Sequence, residues 1–203
     1  MPIPVLTILI VILILWLQYE VRKGGKRSKQ SNEAFWQNEK SSNLTNRKDI
    51  THLDFITISP DQLPMEDHED QTINSYRDTI LKLADKKIVN LTGFTNTELK
   101  FKYGAANINI LAEYDNNYTV LVSILQKWAE RLHTQGFTQD AISVLQFAIT
   151  CYTDVTKSYK LLALIYKDSN TPDKINELIE IIPKTRMLDK DKLIEELVAI
   201  KIS

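Results

Sequence analysis

Three histidines, one cysteine and a run of carboxylates are the side chains here that most readily do chemistry, and their spacing argues against it. His52, His68 and His133 lie far apart in the chain. His68 sits in "EDHED", residues 66 to 70, without a His or Cys partner at ligand spacing. The run therefore reads as solvated charge ahead of a helix, whose N-terminus favours negative groups. The single cysteine, Cys151, excludes an intrachain disulfide and suits a reducing compartment. No neighbouring charge would lower its pKa, so it reads as a small, half-buried helix residue. His133, one turn after Ala129, reads as a partly exposed helix residue. The sequence contains no G-x-G-x-x-G, P-loop, G-x-S-x-G or H-E-x-x-H. Without a nucleophile, base or metal set, the expectation is a protein that is not an enzyme and takes no metal or cofactor.

The elements that must position any binding site begin with "IPVLTILIVILILWLQY", apolar from Ile3 to Leu17 except for Thr7. A helix over residues 2–20 would rise about 28 Å, close to the ~30 Å of a bilayer's hydrocarbon layer. Trp16 and Tyr19 stand at its end, where aromatic rings favour the membrane interface. Arg22, Lys23, Lys26, Arg27 and Lys29 follow at once, and no Lys or Arg precedes the run. The positive-inside bias then places the N-terminus outside and the C-terminal bulk in the cytoplasm of a single-pass cell-membrane protein. A cleaved signal peptide would need a basic start and a small-residue cleavage site, and neither is present. The basic cluster sets topology and can also attract anionic lipid. N-x-T sequons at Asn43, Asn90 and Asn117 would be silent in that orientation and are explained by an Asn- and Thr-rich composition.

Residues 21–70 read as a linker, basic and then acidic, with "GGKRSKQSN" as its flexible start. Within it "LDFITISPDQLP" alternates: Leu53 and Phe55 would share one face, Ile56 and Ile58 the other, before Pro60 and Pro64 exclude a helix. Such a segment either packs back on the following domain or receives a partner. From Gln71 the period becomes helical. Ile73, Tyr76, Ile80, Ala84 and Ile88 form one stripe. "TNTELKFKYG" offers Thr95 or Asn96 as an N-cap and Gly104 as a stop. "AANINILAEY" is a further short helix, followed by a long one from Tyr118 to Gln135.

Comparison of the chain with itself at a shift of 34 residues aligns Leu125 with Tyr159, Trp128 with Leu162, Ala129 with Ala163 and Leu132 with Tyr166. Gly136 falls on Asn170, and both types tolerate the left-handed conformation that ends a helix. Ala141 then meets Ile175, Leu145 meets Ile179 and Ala148 meets Ile182. Thr138, and Thr171 followed by Pro172, stand where the second helix of each unit should be capped, and Pro183 ends or kinks the last one. Residues 122–187 resemble tetratricopeptide repeats, helical hairpins of this length. Ile175 and Ile182 depart from the family's small residues, and the register does not extend upstream of the first unit. The fold expected is all-α: a TPR-like array of two hairpins plus flanking helices over residues 71–203, behind the transmembrane anchor. Residues 71–113 would cover its front. "DKDKLIEELVAIKIS" would cap its back with Leu193, Leu197 and Ile200 inward and Lys192, Glu195 and Glu196 in water. The chain as a whole also resembles single-pass proteins of low-GC Gram-positive bacteria, which implies no activity.

The resemblance implies a concave groove lined by the first helix of each hairpin. Its positions fall on Ser123, Gln126, Glu130 and His133 in the first unit and on Lys157, Lys160, Leu164 and Lys167 in the second. Three lysines around one leucine would suit an acidic or C-terminal carboxylate ligand. The family's carboxylate clamp also uses asparagines, which these positions lack. Charged residues at 25% and a net charge of −1 give no reason to expect nucleic acid. The function expected is a membrane-tethered cytoplasmic interaction module, a scaffold or adaptor with a protein or peptide partner. The alternative is an accessory subunit of a membrane complex held through its anchor. An anchor of Ile, Leu and Val without small-xxx-small spacing suits lipid better than a tight helix interface.

Overall fold

The computed structural model describes residues 3–202; the side chains of residues 3–9, 11 and 21–31 lie outside that description. Its regular elements are helices: α1 (Ile3–Asn43), α2 (Gln71–Ala84), α3 (Asn96–Tyr103), α4 (Ile108–Thr134), α5 (Thr138–Thr150), α6 (Thr156–Asp168), α7 (Asp173–Ile181) and α8 (Lys190–Ile202). They belong to two compact units, one of residues up to Lys48 with Asn96–Ala106, the other of Asp49–Thr95 with Asn107–Ser203.

In the first unit α1 continues through residues 21–43, where a flexible linker is expected. Gly24 and Gly25 each cost about 1 kcal/mol relative to alanine inside a helix. They are outnumbered by good helix formers from Arg22 to Ala34, and no proline occurs between Pro4 and Pro60. Among the described residues no helix is long and apolar enough to cross a membrane. The anchor's residues 3–9 and 11 and the basic cluster Arg22, Lys23, Lys26, Arg27 and Lys29 fall outside the described side chains. The end of α1 is tied to α3 by polar contacts. Glu39 pairs with Lys100 and accepts from the Thr97 hydroxyl at 2.7 Å. The Thr45 hydroxyl donates to the Lys100 carbonyl at 2.9 Å, and the Lys48 ammonium donates to that of Phe101 at 2.8 Å. These bonds explain why residues 96–106 join this unit rather than the helical domain expected over 71–203. Gly104 ends α3 at φ +92°, and a Cβ there would collide with the Asn46 carbonyl oxygen and the Arg47 Cα. Only glycine satisfies both requirements.

In the second unit the alternating segment packs back on its own domain. Phe55 bridges Val89 antiparallel, the Ile56 amide donates to the Ile88 carbonyl at 2.9 Å, and Ile58 and Leu63 enter the core. Asp70 caps α2 by accepting from the Thr72 amide at 2.8 Å. Ile73 and Ile80 are buried, with Tyr76 and Ala84 beside them. The two helices expected before Gln135 are one, α4. Asp115 and Asn117, which would compete with a helical backbone, are engaged elsewhere. Asp115 accepts from the Leu91 amide at 3.1 Å, and the Asn117 amide donates to the Lys87 carbonyl at 3.0 Å.

Beyond α4 the 34-residue period appears in the backbone itself. Gly136 at φ +86° and Asn170 at φ +55° end α4 and α6. Around them the same bonds recur: Gln135 to Arg131, Gly136 to His133 and Phe137 to Leu132, then Ser169 to Ile165, Asn170 to Lys167 and Thr171 to Tyr166. Tyr152, at φ +53°, closes α5 similarly. The threonines do not cap. Phe137 precedes α5 without a side-chain bond, and the Thr171 hydroxyl donates back to the Tyr166 carbonyl at 3.1 Å. Pro183 sits in a 3-10 turn that finishes α7.

Packing follows the chain: α2 and α5 lie on α4, α6 on α5, and α7 and α8 on α6. Leu125, Tyr159, Trp128, Leu162, Ala129, Ala163, Ala141, Ile175, Ala148 and Ile182 are all fully buried. At the back Leu193 and Leu197 are buried, Ile200 is packed against the core, and Lys192 and Glu195 are exposed. Because α8 turns charge outward, it ends the stack in water.

Trp128→Ala is expected to lower the unfolding free energy by about 3–5 kcal/mol, measured by denaturant titration. Ser158 is buried too, but its hydroxyl has no hydrogen-bond partner. Ser158→Ala should therefore lie within about 1 kcal/mol of neutral or be stabilising. A small effect of the first change together with a large loss from the second would contradict this core.

Candidate partner-binding face

The expected groove positions do not all reach solvent. On α4, Glu130 is exposed, Ser123 and His133 are half-buried, and Gln126 is buried at 8% exposure, its amide donating to the Glu130 carboxylate at 2.9 Å. Lys127 and Thr134 are exposed beside Glu130 and were not anticipated. Gln126 could not have been excluded from sequence, because polarity at a groove position suits either setting. On α6, Lys157, Leu164 and Asp168 form the exposed stripe, at spacings of seven and four, with Lys160 and Lys167 half-buried along it. Leu164 is 44% exposed, although α6 offers several buried positions for an apolar side chain.

The lysines are not equivalent. The Lys160 ammonium lies 2.6 Å from a carboxylate oxygen of Glu196 on α8, with 38% of the one side chain and 36% of the other exposed. Lys157 is exposed at the start of the helix. Lysine ammoniums present point charges that accept carboxylates without demanding one geometry. The stripe can therefore hold an acidic segment and give it one apolar contact at Leu164.

At the C-terminal end of α4 a strap not expected from sequence is fastened. The Arg131 guanidinium donates to Asp70 at 2.6 Å, and His68 packs edge-on against Phe137 with ring centroids 4.5 Å apart. Arg77 donates to Asp67 at 2.5 Å and to the Glu66 carbonyl at 3.1 Å. Part of the acidic run read as solvated is thus structural; only Asp70, two residues before Thr72, carried a local capping signal. Partial burial pushes the Asp70 carboxyl up, but the Thr72 amide and the Arg131 guanidinium more than offset this and hold it below its ordinary value of 3.8.

Cys151 is buried rather than half-buried, and burial pushes its thiol up to about 12, so it stays protonated at neutral pH. Tyr118 and Tyr159 are likewise pushed up by burial, and the Tyr118 hydroxyl donates to the Tyr152 carbonyl at 3.0 Å. Among the described residues no three His, Cys, Asp or Glu side chains converge as a metal set. No family model, curated protein or solved structure matches the chain.

Since the folded carboxyl of Asp70 is the stronger acid, its contribution to stability is complete above the unfolded value and disappears as pH falls through the folded one. Melting temperatures followed from about pH 5 down to pH 2 should fall less steeply for Asp70→Asn than for the parent chain. Parallel acid limbs would show that the strap contributes nothing through this charge.

Proposed function

We propose that the protein is a membrane-tethered interaction module, a scaffold or adaptor that holds a protein or peptide partner on the exposed face of α4 and α6. One observation carries the reading: an exposed lysine–leucine stripe, Lys157 to Leu164, on a helix whose remaining sides are packed into a rigid stack. The recurrent 34-residue turn supports the further reading of the two hairpins as TPR-like units with this face as their groove. No step of catalysis is part of the reading.

The tether is residues 2–20, supported by the length and apolarity of the run from Ile3 to Leu17. Arg22, Lys23, Lys26, Arg27 and Lys29 would lie at the cytoplasmic headgroups, with the helical domain inside and the N-terminus outside. In this orientation a reporter fused after Ser203 is active only in the cytoplasm. Asn43 makes the better glycosylation probe, being exposed at the end of α1, whereas Asn117 is buried with its amide bonded to the Lys87 carbonyl. Modification of Asn43 in a eukaryotic host would overturn the placement.

Capture of partners by the full chain in detergent tests the face. Lys157→Glu combined with Leu164→Asp should reduce capture at least about tenfold, since the pair replaces attraction by repulsion and an apolar contact by a charge. Both side chains are exposed, so helix content by circular dichroism should not change. Undiminished capture would favour the accessory-subunit reading, in which the anchor alone holds the partner.

A further inference from the structure

We propose that Glu196 of α8 is an internal competitor for the binding face, occupying Lys160 until the carboxylate of an acidic peptide segment replaces it. The inference rests on the reading of the α6 stripe as a binding face and adds its partner's chemistry and its regulation. The ion pair itself shows that a carboxylate can seat on Lys160, at 2.6 Å. Both side chains are more than a third exposed, so an incoming carboxylate can reach the ammonium without α6 and α8 separating. Exposed pairs of this kind are weak, which makes the exchange inexpensive.

The surroundings favour an acidic segment over a basic or neutral one. Lys157 and Lys167 stand one helical turn before and two turns after Lys160, and Leu164 lies between Lys160 and Lys167. Asp168 follows the lysines on α6, and Glu196 of α8 is the carboxylate paired with Lys160. Once Glu196 is displaced, Lys160 is presented with the exposed Lys157 beside the exposed Leu164. The matching ligand carries glutamate or aspartate side chains flanking an apolar residue. α8 is held to the core independently, by Leu193 and Leu197, so Glu196 can swing out while the helix stays docked.

The test is fluorescence anisotropy on the full chain in detergent, with a labelled, amide-capped peptide of alternating glutamate and leucine as probe. Glu196→Gln should tighten binding about two- to five-fold, the scale of one exposed ion pair. The gain should vanish in a Lys160→Gln background and shrink with added salt. A Kd unchanged by Glu196→Gln but weakened by Lys157→Gln would refute the competitor and leave the face standing. A gain that persists in the Lys160→Gln background would also refute it, because Glu196 would then act elsewhere. If neither the parent chain nor Glu196→Gln binds the acidic probe, the binding face itself is refuted.

Discussion

A two-helix hairpin has an apolar side that it cannot bury on itself, and this constraint organises the larger unit. Trp128 and Leu125 on α4 and Tyr159 and Leu162 on α6 are fully buried in a stack where α4 packs on α2 and α5, and α6 on α5, α7 and α8. Ala129 and Ala163, both fully buried at equivalent positions, let the helices approach closely enough for these larger side chains to interlock. The left-handed residues Gly136 and Asn170 serve the same end: they reverse the chain within three and four residues, so each second helix returns directly onto the first. The outer layers respond to the same need. α2 and the extended segment with Ile58 and Leu63 cover one flank, and α8 closes the other.

The period was legible in sequence because it is written twice, in the sizes of the side chains and in the residue types at the turns. The inward residues of α8 and the alternation around Ile56 and Ile58 were legible for the related reason that burial imposes a period on each element separately. Much of what escaped prediction depends on partners distant in sequence. Asp115 and Asn117 look like a break until the loop at Lys87 to Leu91 supplies their partners. α3 looks like part of the helical domain, yet Glu39, Thr45 and Lys48 claim it for the other unit. Thr138 and Thr171 had the right type for caps but not the geometry. The Gly24–Gly25 pair suggested flexibility, whereas the long run of helix formers on either side outweighs two glycines.

The candidate face shows the same limit more sharply. Periodicity set Lys157 and Leu164 on one side of α6, and both are exposed there, since exposure on α6 follows from which positions are buried. It could not tell Gln126, turned in upon Glu130, from a residue open to a ligand, nor could it reveal that Lys160 already holds Glu196. That difference bears directly on function. Lys160 is paired with Glu196 on α8, the helix that also caps the core.

The stack is therefore both scaffold and condition of the face, and the central claim is that its helices fold as one cooperative body. Native-state hydrogen exchange of the full chain measures this directly. Amides in the buried turns around Trp128 on α4, Leu145 on α5 and Leu162 on α6 should open with free energies agreeing within about 1 kcal/mol, as expected for a shared global event. Exchange of α6, α7 and α8 through an opening several kcal/mol easier than that of α4 and α5 would contradict it, showing two hairpins that merely touch.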